Sequence, residues 1–165
     1  MVGKSSQSWR TFEDAVRAIV SQQSEFFGIE FVEPASAKVR GETGYEWNIE
    51  VIGYLAGTRK MVLFEVRRKT TRNIEPGEAG ELAFRIEDTG ADKGYFVTPL
   101  KRRLSKGARK ISEFNQIGHV QVSVTSTPEN YIMQCVDQVF AAFGDSMQFN
   151  DSVTLGLKDD AGNLL

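Results

Sequence analysis

Three observations predict an α/β (α+β) fold in which helices flank a central mixed β-sheet. Polar and apolar residues alternate across 46–52, turn-forming residues follow at 56–58, and a second strand pattern runs over 60–68, which together indicate a β-hairpin. Downstream, apolar runs at 94–99 and 120–124 are separated by helical patterns, as in parallel strands joined by crossover helices. With 165 residues, 41% of them hydrophobic, the chain can bury one core.

The first predicted element is an amphipathic helix over residues 8–27. Ser8 and Thr11 are candidate N-caps, and Gly28 ends the helix. Apolar residues recur at helical spacing along it: Phe12, Val16, Ile19 and Val20.

The hairpin follows a short strand and a turn. We expect the strand at 29–32 and the turn at 41–44. The two hairpin strands then run over 46–52 and 60–68, so that residue 50 belongs to the first and residue 65 to the second.

The second half of the chain alternates helices and strands. Pro76 and Gly77 are expected to interrupt regular secondary structure before a helix over 78–88, and a buried strand follows at 94–99. The next helix spans 105–115, with these residues expected to face inward: Leu104, Ala108, Ile111 and Phe114.

A strand at 120–124 and a last helix complete the predicted core. Thr127 and Pro128 have the composition of a helix start. The apolar face of that helix would carry Ile132, Val136, Val139, Phe140 and Phe143, with Cys135 beside it as core or interface packing.

Residues 1–144 are expected to form a single domain, and residues 145–165 an acidic C-terminal tail or arm. Within this tail, 153–157 has the pattern of an edge strand or an interaction arm. Residues 1–10 lack the apolar core of a secretory signal, and no apolar run approaches the roughly 20 residues that span a bilayer. We therefore expect a cytoplasmic protein.

One cysteine and one histidine exclude several kinds of chemistry. A structural zinc site needs about four Cys or His ligands, whereas the chain has only Cys135 and His119. Catalysis by a Ser-His-Asp or Cys-His set would have to use His119, which lies at a strand start and is expected to be structural. An enzyme of this composition would use carboxylates, cations and a metal.

Charge is distributed unevenly along the chain. The net charge is -2, but residues 145–165 carry -3, which leaves +1 for the remainder. Two segments, 59–72 and 101–110, are locally basic. A phosphate backbone responds to such local clusters, so nucleic acid remains a candidate partner.

The second hairpin strand carries an acid beside cations. Because alternate side chains share a strand face, Glu65, Arg67 and Lys69 lie on one side. If the register sets Glu50 beside Glu65, two oxygen ligands converge as a magnesium site requires. The same pattern also describes a solvent-facing charge ladder with pairs worth roughly 0.2–1 kcal/mol, the commoner arrangement on pattern alone.

Three sequence blocks occur in a particular order. They are the helix block TFEDAV, the hairpin block WNIEVIGY with MVLFEVRRK, and the more specific block GADKGYFVTP with LSKGARK. Over roughly residues 9–124, they resemble the Mrr-like branch of the PD-(D/E)XK nuclease superfamily. The resemblance implies a restriction-endonuclease-like core.

The resemblance also implies a set of catalytic residues. Glu50 and Glu65 occupy the positions of the two metal-binding acids, the first of which is usually Asp in the family. Arg67 stands where the family has lysine, and Lys69 faces the same way as an alternative cation. Glu13 matches an accessory acid on the first helix.

The implied function is a DNA-binding endodeoxyribonuclease that hydrolyses phosphodiester bonds with Mg²⁺ or Mn²⁺, as in restriction systems. Arginine at position 67 cannot exchange a proton as lysine can. The alternative is therefore a catalytically degenerate nuclease-fold domain that binds DNA or a partner protein without cleavage; an unrelated ligand-binding or assembly module is a third.

The expected DNA contacts lie in the two basic segments and at the strand and helix ends beside them. Cutting both strands would need two sites, which favours a homodimer or a partner subunit. The candidate contact residues are Arg68, Arg72, Thr98, Lys101, Arg102, Arg103, Ser105 and Lys106.

Overall fold

The structure is a computed structural model that describes residues 4–68, 71–123, 132–135 and 154–156. The helices in this part of the chain are α1 (Lys4–Gln22), α2 (Ser24–Phe27), α3 (Pro76–Thr89) and α4 (Lys106–Phe114). The strands are β1 (Ile29–Val32), β2 (Ala37–Arg40), β3 (Glu46–Ile49), β4 (Val51–Leu55), β5 (Met61–Val66), β6 (Lys93–Pro99), β7 (Gly118–Val122), β8 (Ile132–Cys135) and β9 (Thr154–Gly156).

A mixed seven-stranded sheet forms the centre of the molecule, in the order β1-β4-β5-β6-β7-β8-β9. Strands β5, β6 and β7 run parallel, and the pairs on either side of them are antiparallel. Strands β2 and β3 form a separate two-stranded ribbon. The predicted mixed α/β class, with parallel strands joined through helices, is confirmed.

Helices cover both faces of the sheet. On one face, α1 residues such as Phe12 and Ile19 pack against Phe64 and Val66 of β5. On the other, α3 and α4 enclose a second core with Phe96 of β6. Because side chains alternate along β5, Glu65 points away from the α1 face toward α3.

The first helix is confirmed but starts earlier than the sequence indicates. It begins at Lys4, so Ser8 and Thr11 lie inside α1 and are not its N-caps. The helix is interrupted at Gln23 and continues as α2, for which Gly28 is the C-cap. Gly28 has φ 67°, a left-handed conformation that glycine adopts without a Cβ clash.

The hairpin is confirmed between β4 and β5, but the predicted first strand, 46–52, is divided. Val51 pairs with Phe64 in the main sheet. Trp47 instead pairs with Val39 of β2 in the ribbon. The chain bends at Glu50, between the two strands.

Two helices of the second half match the prediction with local corrections. Pro76 does not break the chain before α3 but begins it, because its missing N–H is not needed in the first turn. Ser105 caps α4 by accepting a hydrogen bond from the Ala108 N–H at 3.2 Å. Phe114 was expected to face inward, yet it is 88% exposed. It lies two residues, about 200° around the helix, beyond the buried Ser112.

The last predicted helix is wrong at residues 132–135. These residues form β8, which pairs with β7 and with β9. Met133 and Cys135 are buried and Gln134 between them is half-buried, which is the period of a strand. The other residues of the predicted helical face, from 136 to 143, lie outside the described residues.

Strand β9 lies at the edge of the main sheet. It therefore realises the edge strand that the sequence suggested within 153–157. Among the described residues, no helix has both the length and the hydropathy to span a bilayer.

Candidate functional site

The bend at Glu50 brings the backbone of β4 into contact with α1 and β5. The Val51–Phe64 register, continued by one residue, sets Glu50 beside Glu65. The Glu50 carboxylate accepts a hydrogen bond from the Val66 N–H at 2.8 Å. Arg17 of α1 donates to the Glu50 carbonyl oxygen at 2.9 Å, which fixes α1 against the bend.

Three carboxyl groups interact around this bend. Burial, together with repulsion from Glu65 and Glu13, raises the pKa of Glu50 to about 7, although the Val66 N–H and Arg67 act against the rise. Burial also raises the pKa of Glu13, which is hydrogen-bonded to the Glu50 side chain. A hydrogen bond between two carboxyl groups requires a proton on one of them, and the raised pKa values of both groups favour holding that proton.

Glu65 is held by arginine on both of its oxygens. Arg67 Nη2 lies 2.7 Å from Glu65 Oε1. Arg85 of α3 donates to Oε2 in a buried ion pair. Arg85 also contacts Glu81 at 2.7 Å and stacks over the Trp47 ring at 5.1 Å from its centroid. The prediction that the Glu65 and Arg67 side chains lie on the same side of the chain is confirmed.

Glu50 and Glu65 are the two carboxylates that the predicted magnesium site would use. Among the described residues there is no group of three or more His, Cys, Asp or Glu side chains arranged to hold a metal. Magnesium commonly takes only one or two protein carboxylates and keeps several waters. A cation between Glu50 and Glu65 would relieve their repulsion, at the cost of loosening one arginine from Glu65.

A second cluster lies at the start of α3, beside Arg67. Three arginines surround one oxygen of Glu78: Arg102 at 3.5 Å, Arg72 at 3.8 Å and Arg67 at 3.9 Å. The other Glu78 oxygen accepts from the Glu75 N–H at 2.9 Å and completes a capping box. Glu78 is thus fixed by the helix start and faces three cations.

The residues predicted to contact DNA separate into three groups. Thr98 is fully buried and bonds to His119 at 2.7 Å, so it does not reach the surface. Arg102 is also buried, and Ser105 serves as the α4 cap. Lys69, which was predicted as the alternative catalytic cation and not as a DNA contact, lies outside the described residues. The side chains that remain available are half-buried Arg68 and exposed Arg72, Lys101, Arg103 and Lys106.

Sequence reasoning missed Arg85, Glu78 and Arg17. Arg85 and Glu78 are separated by seven residues and so lie on one face of α3 together with buried Leu82. An arginine in line with an apolar stripe was therefore a usable signal. Arg17, which also pairs with Asp14, offered none for its contact at the bend, because that partner is the Glu50 backbone carbonyl.

No family model matches the sequence, and no curated protein matches it either. A crystal structure of a protein of unknown function, AF1548, matches with a TM-score of 0.52 and 19% sequence identity. The match covers 65% of this chain and 56% of that chain, so this protein spans little more than half of its neighbour's length. At this identity the match concerns the fold alone.

Proposed function

We propose that this protein is a cytoplasmic, DNA-binding, metal-dependent endodeoxyribonuclease with a restriction-endonuclease-like core of Mrr type. The supporting observation is the interaction of Glu13, Glu50 and Glu65 at the bend before β4, where burial and, after it, repulsion between like charges raise the pKa of Glu50 to about 7. Repelling carboxylates brought together from α1, the bend at Glu50 and β5 are costly for stability, and such arrangements concentrate at functional sites.

In this proposal, Glu50 and Glu65 would hold Mg²⁺ or Mn²⁺. When bound, the ion would activate a water and stabilise charge on the phosphate. Glu13 accepts or returns the proton that Glu50 must lose before it can serve as a ligand. Arg67 remains charged at every working pH, so it neutralises the phosphate but does not act as a base.

The decisive variant is Glu50→Gln. A pKa near 7 means that the neutral form of this side chain already exists in the fold at neutral pH, so the amide should fold. Glu65→Ala is a poorer probe, because it would leave Arg67 and Arg85 facing each other without their carboxylate. Exposed Glu46 on β3 provides the matched control, Glu46→Gln.

The experiment follows nicking of supercoiled plasmid with Mg²⁺ or Mn²⁺. Wild type and Glu46→Gln should cut, whereas Glu50→Gln should lose about 100-fold or more of the rate, the scale on which loss of a metal ligand is felt. Equal cutting by wild type and Glu50→Gln would refute the proposed site. Absence of cutting by freshly folded wild type with both metals would refute the nuclease function.

A second candidate is a nuclease-fold domain that binds DNA without cleaving it. The observation that favours it is the pairing of both Glu65 oxygens with arginine, which leaves this carboxylate fully neutralised without a metal. Under this alternative, wild-type protein binds duplex DNA with equal affinity in EDTA and in magnesium. Nicking that requires Glu50 would rule it out.

A further inference from the structure

We propose that Arg67, Arg72 and Arg102 form a phosphate subsite that receives the terminal phosphomonoester of a nucleic acid strand, and that Glu78 occupies this subsite when no phosphate is bound. This inference depends on the proposed function in one respect only, which is that the ligand is a nucleic acid. Its phosphate-binding character follows from the contacts of the three arginines themselves.

The three arginines are arranged as a base and a rim. Arg102 is only 3% exposed and reaches the cluster from the loop after β6. Arg67, at 32% exposed, and Arg72, at 63%, stand nearer to solvent. A group entering from solvent would therefore meet two arginines before reaching the third.

The contacts with Glu78 leave the arginines poorly satisfied. The three nitrogen–oxygen distances, 3.5 to 3.9 Å, are all longer than the usual charge-assisted hydrogen bond of about 2.7–2.9 Å. Within the described part of the chain, the Nε atoms of Arg67 and Arg102 are buried and have no hydrogen-bond partner. Buried unsatisfied donors are costly, and here they point to a ligand with more acceptor oxygens than one carboxylate.

Charge at the cluster favours a dianion. Three guanidinium groups share one Glu78 carboxylate, and one of them, Arg67, also pairs with Glu65. Burial lowers the pKa of Arg102, and repulsion from Arg67 and Arg72 lowers it further, while Glu78 partly offsets both. A phosphomonoester carries about -1.5 to -2 at pH 7 and offers three oxygens, whereas an internal phosphodiester carries only -1.

Depth also favours a chain end. An internal phosphate is flanked by two nucleotides and meets exposed side chains most easily, whereas a terminal phosphate can enter between Arg67 and Arg72 toward buried Arg102. Arginine forks bind phosphate oxygens in pairs, which suits this convergence. Because Arg67 also contacts Glu65, a strand end held here lies next to the proposed metal site.

The experiment measures binding of two otherwise identical labelled oligonucleotides, one with a 5′-phosphate and one with a 5′-hydroxyl. Fluorescence anisotropy in EDTA keeps the metal site out of the measurement. For wild type, the phosphorylated strand should bind about 10-fold more tightly, the scale of one charge-assisted contact. A matched pair with 3′-phosphate and 3′-hydroxyl shows which strand end is recognised.

Two variants test the assignment. Glu78→Gln keeps an oxygen for the capping box and removes the competing charge, so preference for the phosphorylated strand should increase further. Arg72→Gln changes an exposed side chain and should bring the affinity ratio close to one. Arg59→Gln, exposed in the turn at the far end of β5, is the control and should keep the wild-type ratio.

An affinity ratio near one in wild type and in Glu78→Gln, at both strand ends, would overturn the subsite. A ratio that survives Arg72→Gln would overturn it as well. Neither result affects nicking that depends on Glu50, so the subsite and the proposed nuclease function fail separately.

Discussion

Arg85 on α3 and Glu65 on β5 form a buried ion pair that joins a helix to the central sheet. Arg67 holds the other oxygen of Glu65, so the carboxylate is compensated from two directions. Removing one partner of a buried pair leaves a charge without compensation, which costs far more than the pair itself contributes.

Arg85→Met should therefore lower the free energy of unfolding by about 3 kcal/mol. The thioether fills much of the arginine volume, so the loss reports charge and not a cavity. Urea denaturation measures it, with Arg40→Met on the exposed edge of the ribbon as the control. The double variant Arg85→Met/Glu65→Gln should lose less than the two single losses added together. Simple additivity would show that the two side chains are not coupled.

The raised pKa of Glu50 predicts stability that declines as pH rises. Between pH 4.5, the ordinary value, and about 7, the folded protein holds a proton that the unfolded chain has released. The contribution of Glu50 to the free energy of unfolding therefore falls across this window, by roughly 2 kcal/mol once solvent screening of this half-buried group is allowed for. Glu50→Gln should abolish this component, and Glu46→Gln should retain it. An unchanged pH profile in Glu50→Gln would contradict the raised pKa.

His119 predicts the opposite slope. Burial lowers the pKa of His119 from 6.5 to about 4, with Arg102 and Arg109 acting in the same direction. Between these values the unfolded chain binds the additional proton, so stability rises with pH through the window and is fully present above pH 6.5. In wild type the Glu50 and His119 components largely cancel. His119→Gln should therefore show a profile that falls with pH, whereas Glu50→Gln should show one that rises.

The exposure of Phe114 predicts that its replacement has little effect on folding. Phe114→Ala should change the free energy of unfolding by less than about 0.5 kcal/mol, as expected for a surface site. Leu82→Ala, in the buried face of α3, should cost about 2–5 kcal/mol. If Phe114→Ala and Leu82→Ala lowered the free energy of unfolding equally, Phe114 would be buried, as the sequence predicted.

If the protein binds DNA as proposed, the exposed basic residues near α4 should give the binding a salt dependence. The variant Lys101→Gln/Arg103→Gln/Lys106→Gln should flatten the plot of log affinity against log salt by about 0.9 for each phosphate that the protein no longer neutralises. Filter binding or anisotropy on duplex DNA measures the slope. If the slope stays at the wild-type value, DNA binds to another surface.

The local sequence pattern predicted most helices and strands, but it did not predict the bend that divides one of the strands. Strand alternation correctly set Glu65 and Arg67 on one face. The same alternation runs unbroken from residue 46 to residue 51, so nothing in it revealed the bend at Glu50. That bend depends on interactions with residues far away in the sequence, Arg17 and Val66.

The misassigned segment at 132–135 has a similar cause. A helix-start signal at 127–128 and spaced apolar residues favoured a helix, but short apolar runs fit either structure. The segment forms a strand because it pairs with β7 and β9. Such pairing joins residues that are distant in the sequence, so a local pattern does not reveal it. Arg85 was missed because its partner lies on another element, 20 residues away in the sequence.

The central claim is that Glu50 and Glu65 hold a divalent metal, and direct binding of Mn²⁺ tests it without relying on activity. Electron paramagnetic resonance of free Mn²⁺ at about pH 8, where Glu50 is mainly ionised, gives the affinity of folded protein. We expect wild type and Glu46→Gln to bind Mn²⁺ and Glu50→Gln to bind at least about 10-fold more weakly. Equal Mn²⁺ affinity in all three proteins, or no binding by wild type, would contradict the claim.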